Sequence, residues 1–246
     1  MKRRKNNQAL LERIGQIKTD HPAWGYRRVW AYLKYRDGLS VNRKRIYRLM
    51  KDAGLLVEPN WRLKAARTSK RRKLQAKRPN QVWGIDMTKI MVPSCGWTYL
   101  TVVLDWHTKK IVGYDLSCQS RSEDWLRALH RAVNTQFPQG IRETDKSLRL
   151  VSDNGSQPTS QRFMRECSTL KVRQIFTSYN NPKGNADTER VMRTLKEDLI
   201  WPNEFGTVRA LSEALDRWVY QYNNDYPHSA IGYASPCEYE RTRLAA

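Results

Sequence analysis

Cysteine is scarce in this chain, with four in 246 residues, at positions 95, 118, 167 and 237. None stands in a CxxC pair, and the four histidines do not complete a zinc-type spacing with them, so a structural zinc module is excluded and free thiols in a reducing compartment are the expected state. No apolar run is long enough to span a bilayer, and the basic start MKRRKNNQ is not followed by an apolar h-region. No lipidation signal, internal repeat or sustained heptad pattern is present. These absences argue against a membrane partner and place the expected site of action in the cytoplasm. Acidic residues are also nearly missing from the first third: positions 1–79 hold 5 Asp+Glu against 24 Lys+Arg.

What is present is an apolar fraction of 39% with nine Trp and twelve Tyr, enough to bury a core and to exclude wholesale disorder. The formal net charge is +21, of which +19 falls in residues 1–79 and +2 in the remaining 167. A basic excess this localised points to a polyanion, and nucleic acid is the usual one.

The basic third reads as three helices. Leu10, Leu11, Ile14 and Ile17 recur at helical spacing, and His21-Pro22 ends that helix. Tyr26, Val29, Trp30 and Leu33 make a second stripe. Asn42 is the expected N-cap of a third helix that stops at Gly54 and turns Ile46, Leu49 and Met50 inward. Arg43, Lys44, Arg45, Arg48 and Lys51 are left to face outward, the charge pattern of a helix-turn-helix module that enters the major groove of DNA. Residues 1–57 are therefore read as a small all-α helix-turn-helix domain. Residues 58–79, rich in Lys and Arg, are read as a linker able to neutralise phosphates.

From residue 80 the pattern changes. VWGIDMTKIMV, WTYLTVVLDW and KIVGYDLSC read as strands, SEDWLRALHRAVNTQF as a helix with its cap at or near Ser122, and LRLVSDNGSQ as a short strand and turn. A helix, a strand, a loop NPKGN and a helix ADTERVMRTLKEDLI follow. Three strands and a helix followed by alternating strand and helix make an α/β mixed sheet with helices on its faces.

Three carboxylates stand out in that frame. Asp86 lies mid-strand, where a charge is costly unless it is paired or bound to a cation. Asp153 closes its strand, at the kind of sheet edge where α/β folds place sites. Glu189 lies in the first turns of a helix behind a Gly-containing loop. The motifs VWGIDMT, VSDNGSQ and NNPKGNADTERVMRTLK occur in this order, with 66 residues between Asp86 and Asp153 and 35 between Asp153 and Glu189. With the upstream stretch HPAWGYRRVWAYL…VNRKRIYRLMKDAGL, the chain resembles a bacterial insertion-sequence DDE transposase. More closely, it is similar to the second-reading-frame product of that group, within the retroviral-integrase superfamily.

The resemblance implies an RNase H-like mixed sheet with helices on both faces over 80–246, closed by a C-terminal helical extension. It implies that Asp86, Asp153 and Glu189 converge as catalytic residues and metal ligands for two Mg²⁺ ions, with Mn²⁺ able to substitute. The implied reaction is strand cleavage and 3′-OH transfer at the ends of an insertion sequence. The implied partners are the element's terminal inverted repeats, target DNA, further copies of the chain in a synaptic complex, and an upstream reading-frame product joined by frameshift. A bacterial, nucleoid-associated location goes with this reading. Lys196, seven residues after Glu189, and Arg193 at i+4 are expected DNA contacts, Arg193 with the alternative of pairing with Glu189. Asn154 and Gly155 are expected to shape the turn after Asp153, Gly155 through positive φ. Gln157 is a candidate substrate contact, and Asn180, Asn181 and Gly184 a loop over the site. Asn185 is the expected cap of the catalytic helix and Asp187 a charge at its N-terminus, while Asp105 and Asp115 are read as structural. Two alternatives stay open: a nuclease or resolvase of the same fold that only hydrolyses, and a DNA-binding regulator with a degenerate core.

Overall fold

The computed structural model describes residues 2–57, 74–141, 148–177 and 184–244. It divides into two compact units, one of residues Met1–Arg71 with Asp225–Ser235, the other of Arg72–Asn224 with Pro236–Ala246.

The first unit contains α1 (Lys2–Asp20), α2 (Tyr26–Tyr35) and α3 (Arg43–Asp52). The apolar stripes read from the sequence are its interior: Ile14, Ile17, Val29, Leu33, Ile46 and Met50 are all essentially inaccessible. Asn42 caps α3, its side chain accepting from the Lys44 N–H at 2.8 Å. Gly54 ends the helix at φ +67°, a conformation that costs glycine little. A fork of bonds from Arg13 to Asp37, at 2.7 and 2.8 Å, ties α1 to the α2–α3 connection.

The second unit is built on a five-stranded sheet in the order β3-β2-β1-β4-β5. The strands are β1 (Val82–Val92), β2 (Gly96–Asp105), β3 (Ile111–Ser117), β4 (Arg149–Ser152) and β5 (Arg173–Phe176). The first three form an antiparallel meander, while β4 and β5 run parallel to β1. The helices are α4 (Ser122–Gln136), α5 (Gln161–Thr169), α6 (Ala186–Leu195), α7 (Val208–Asn224) and α8 (Pro236–Leu244). At Lys196–Ile200 the α6 helix passes into a π-helical turn.

The period-two alternation of β1 sends its residues to two faces. Trp83 and Ile85 enter a core with Trp125, Leu129 and Ala132 of α4 and Phe163 and Cys167 of α5. Gly113 lets α4 lie close on β3, since a side chain there would strike the Ala128 carbonyl and Ala132. On the opposite face Gly84 does the same for α6, because a Cβ at 84 would collide with Thr188, Trp106 and Asn185. Helices thus cover both faces, and the RNase H-like arrangement expected for this unit is the one observed.

Several local expectations need correction. Cys95, at the β1–β2 hairpin, and Cys118, just past β3, form a disulfide with Cα atoms 6.7 Å apart, while Cys167 and Cys237 are free. Linear spacing does not reveal that two antiparallel hairpins bring residues 23 apart side by side. Arg45 does not face outward: it is half-buried and donates to Asn7 Oδ1 at 2.6 and 3.1 Å. The cap expected at or near Ser122 is the adjacent Arg121, whose N–H is accepted by Asp124 at 2.6 Å. Asp105 and Asp115 are buried and structural, as expected. Asp105 accepts from the Asn80 and His107 N–H groups, each at 2.7 Å, and Asp115 pairs with Arg127 and Arg131. Residues 58–73 of the basic segment and 142–147 of the connection between α4 and β4 lie outside the described residues.

Candidate active site

The parallel pairing of β1 and β4 sets the site. Gly84 is level with Val151. Continuing that register by two residues brings Asp86 level with Asp153, where β4 has just ended at Ser152 and the chain turns away. This is the carboxyl end of the parallel strands. Asp86 shares a face with Gly84, the face that α6 covers, and Glu189 lies in the first turn of α6.

Asp86 is partly buried, and one oxygen accepts from the Met87 N–H at 2.8 Å. Burial pushes its carboxyl from the ordinary 3.8 up to about 6; the Met87 hydrogen bond opposes the rise, the charges of Asp153 and Glu189 add to it, and the Lys196 ammonium lowers it. Glu189 is exposed, and the partial burial of its carboxyl raises its pKa. The two acids and Lys196 therefore all lie within electrostatic reach of Asp86. Among the described residues, however, no three His, Cys, Asp or Glu side chains stand close enough to form a ready-made metal cluster.

The turn after β4 is held by short-range bonds. Asp153 Oδ1 accepts from the Gly155 N–H at 3.1 Å, and Asn154 donates to the Thr177 carbonyl beyond β5 at 2.5 Å. Gly155 is not among the positive-φ glycines; what it offers is room, since a Cβ there would press on Asp153 Oδ1 at 3.1 Å. Gln157 donates to the Ser120 hydroxyl at 2.9 Å and to its carbonyl at 3.2 Å, anchoring the turn. Asn180 and Asn181 lie outside the described residues.

Asn185 stands at the N-cap of α6, as expected, and its carbonyl accepts from the Glu189 N–H at 3.0 Å. It makes no side-chain cap to α6. It is buried and donates instead to the Ile85 carbonyl at 3.2 Å, one residue before Asp86, and its Oδ1 has no partner among the described residues. Thr188 accepts from the buried Trp106 indole N–H at 3.1 Å. Asn185 so ties the start of α6 to β1, and Thr188 ties it to Trp106 just past β2. Asp187 has the N-terminal placement expected of it and also meets Lys109 at 3.4 Å.

The basic residues divide by environment. Arg43, Lys44, Arg48 and Lys51 of α3 are exposed. Arg193 is exposed and paired with Glu197 at 2.6 Å, not with Glu189. Lys196 is half-buried at the start of the π-helical turn.

Comparison with known proteins agrees with this architecture. An HTH-like domain matches residues 5–62, and two Integrase core domain families match 76–182 and 170–236. The transposase InsD of insertion element IS2A/D/F/H/I/K from Escherichia coli is 28% identical over 243 residues, covering 95% of this chain and 79% of that protein. The InsD transposase of IS2-9 from E. coli strain K12 is 28% identical over 243 residues, covering 95% and 77%. A chain in the simian T-cell lymphotropic virus intasome, solved with PP2A regulatory subunit B56 gamma, matches in fold with a TM-score of 0.53 at 16% identity, over 92% of this chain and 74% of that one. Helical first unit, five-stranded sheet and paired matches along the chain converge on one conclusion: this protein joins an HTH-like domain to an integrase core domain and is homologous to the IS2 InsD transposases.

Proposed function

We propose that the chain is a DDE polynucleotidyl transferase that cleaves DNA at the ends of an insertion sequence and joins the freed 3′-OH to another phosphodiester. The observation that carries this reading is the charge coupling at one sheet edge: the Asp86 carboxyl is raised to about 6 partly by Asp153 and Glu189, residues far apart in the chain. A carboxyl that burial and neighbouring negative charge drive toward its protonated form is poised to exchange that proton for a cation. All three donors are carboxylate oxygens, the ligand type of hard Mg²⁺ or Mn²⁺. When bound, two such ions supply positive charge to the scissile phosphate and make a water or 3′-hydroxyl nucleophilic at neutral pH.

In this reading Asp86, Asp153 and Glu189 hold the cations, and Asn185 and Thr188 keep Glu189 in register with Asp86. Lys196 binds a phosphate of the terminal nucleotide, and Arg43, Lys44, Arg48 and Lys51 dock α3 on the duplex. In-line attack of water on phosphorus breaks the P–O3′ bond and leaves a 5′-phosphate and a 3′-hydroxyl; in the joining step that hydroxyl attacks a second phosphorus and displaces the 3′-oxygen of the target strand. The reading includes assembly of several copies around paired ends and end recognition completed by a frameshift-fused upstream product.

A DNA-binding regulator with an inactive core is the second reading, favoured by the lack of a ready-made three-ligand cluster among the described residues. A cleavage and joining assay on the element's own ends with Mg²⁺ separates them. Asp153→Asn keeps the shape and removes the ligand charge, and is expected to reduce both steps by roughly a thousandfold or more. Equal activity of the variant and wild type would exclude the assigned site. Cleavage without joining of pre-cut 3′-OH ends would identify a nuclease.

A further inference from the structure

The first unit is not built from the N-terminal sequence alone. After α7 the chain contributes Asp225–Ser235 to the same compact unit as residues 1–71. That returning segment closes on itself. The His228 carbonyl accepts from the Ile231 and Tyr233 N–H groups at 3.1 and 2.7 Å, and the His228 N–H donates to the Ala234 carbonyl at 3.2 Å. Its aromatic side chains are set into the helices of the unit. Tyr226 is buried with its ring edge-on to Trp24 at 5.3 Å, and Tyr233 meets Trp30 at 5.8 Å.

The Arg28 guanidinium is placed over both members of the first pair. Its carbon is 4.7 Å from the Tyr226 ring centre and 5.8 Å from that of Trp24. The side chain is half-buried and has no ion pair among the described residues. A guanidinium lying on aromatic faces has its plane fixed, while the N–H donors at its edge stay available. Immobilising a long side chain beforehand removes an entropy cost that binding would otherwise incur. The ligand that such a fork fits is a phosphate, taken by two parallel N–H···O bonds. On α2 itself the charges are all basic, Arg27, Arg28 and Lys34, while Asp20 and Asp225 are the acidic groups that share His21 with Arg28.

We propose that Arg28 contacts the phosphodiester backbone of duplex DNA and that Tyr226, from the far end of the chain, is its positioning residue. The DNA-binding unit is then split in sequence, and Asp225–Ser235 completes it. This rests on the reading of the first unit as a DNA-binding module. It adds a contact outside α3 that carries affinity without reading bases.

The test is binding of the full-length chain to a short mixed-sequence duplex at several salt concentrations. Arg28→Ala is expected to weaken binding roughly tenfold and to lower the slope of log affinity against log salt by about one. Tyr226→Leu should reproduce the slope change, Tyr226→Phe should retain the wild-type slope, and Arg28→Ala with Tyr226→Leu should lose no more than either alone. A merely structural Tyr226 would lower the melting temperature and leave the slope intact, which overturns the positioning role. If Tyr226→Leu does not fold, Arg28→Ala decides. An unaltered slope in that variant refutes the contact while wild-type binding persists. Failure of wild type to bind any duplex sinks the DNA-binding reading, and this proposal with it.

Discussion

A carboxylate inside a sheet is tolerated only as far as its charge is compensated. The folded chain therefore grips a proton on Asp86 more tightly than the unfolded chain does, at about 6 against the ordinary 3.8. The stability this group contributes is complete below about pH 4 and is lost as pH rises through about 6, a loss on the order of 3 kcal/mol. With chelator present, Asp86→Asn should melt above wild type at about pH 8, and the two should converge near pH 4. Mg²⁺ should then stabilise wild type at about pH 8 and leave the variant unmoved. A wild type that stays the more stable at high pH without metal would show that Asp86 is compensated within the fold.

Between elements, the decisive contact is that of α6 with β1. The helix approaches at Gly84, where any side chain would overlap Thr188, Trp106 and Asn185. Two of these three hold the helix that carries Glu189, and Gly84 lies two residues before Asp86, so the glycine governs the distance between two acids it does not touch. Gly84→Ala should cost about 1–3 kcal/mol by overpacking. Cleavage per folded molecule should fall further than stability does, because small displacements of reacting groups are expensive. Urea denaturation and a cleavage assay on the same preparation check this, and proportionate losses in both would mean that α6 has not moved. Lys196 directly follows the regular α-helical run with αR dihedrals, and its ammonium acts on Asp86 electrostatically before the π-helical turn changes the spacing.

At the scale of the molecule, two units are threaded by one chain that returns to the first after α7. The second unit is also closed covalently, since Cys95 and Cys118 join the β1–β2 hairpin to the end of β3 across a separation of 23 residues. A loop of that length stabilises by about 3 kcal/mol through the entropy it removes from the unfolded chain. Reductant should lower the melting temperature of wild type and leave the Cys95→Ser, Cys118→Ser double variant unaffected. Identical melts of wild type with and without reductant would mean that the bond makes no net contribution. No helix among the described residues is long and apolar enough to cross a membrane.

The sequence by itself determined the elements and supplied the candidate acids. Apolar periodicity placed α1, α2, α3 and the five strands, because burial selects residues by a spacing that is visible in one dimension. Asp86, Asp153 and Glu189 became candidates through the order and spacing of three motifs and their resemblance to a known family, since each acid alone is a weak signal. Only the tertiary structure decided which distant residues became neighbours. The side chain of Asn185 turned from the helix it caps to Ile85, Arg45 turned to Asn7, Cys95 met Cys118, and Tyr226 came to lie under Arg28. Each of these pairings depends on strand register and helix docking, which sum many weak contacts across the whole chain. No short stretch of sequence encodes such a sum.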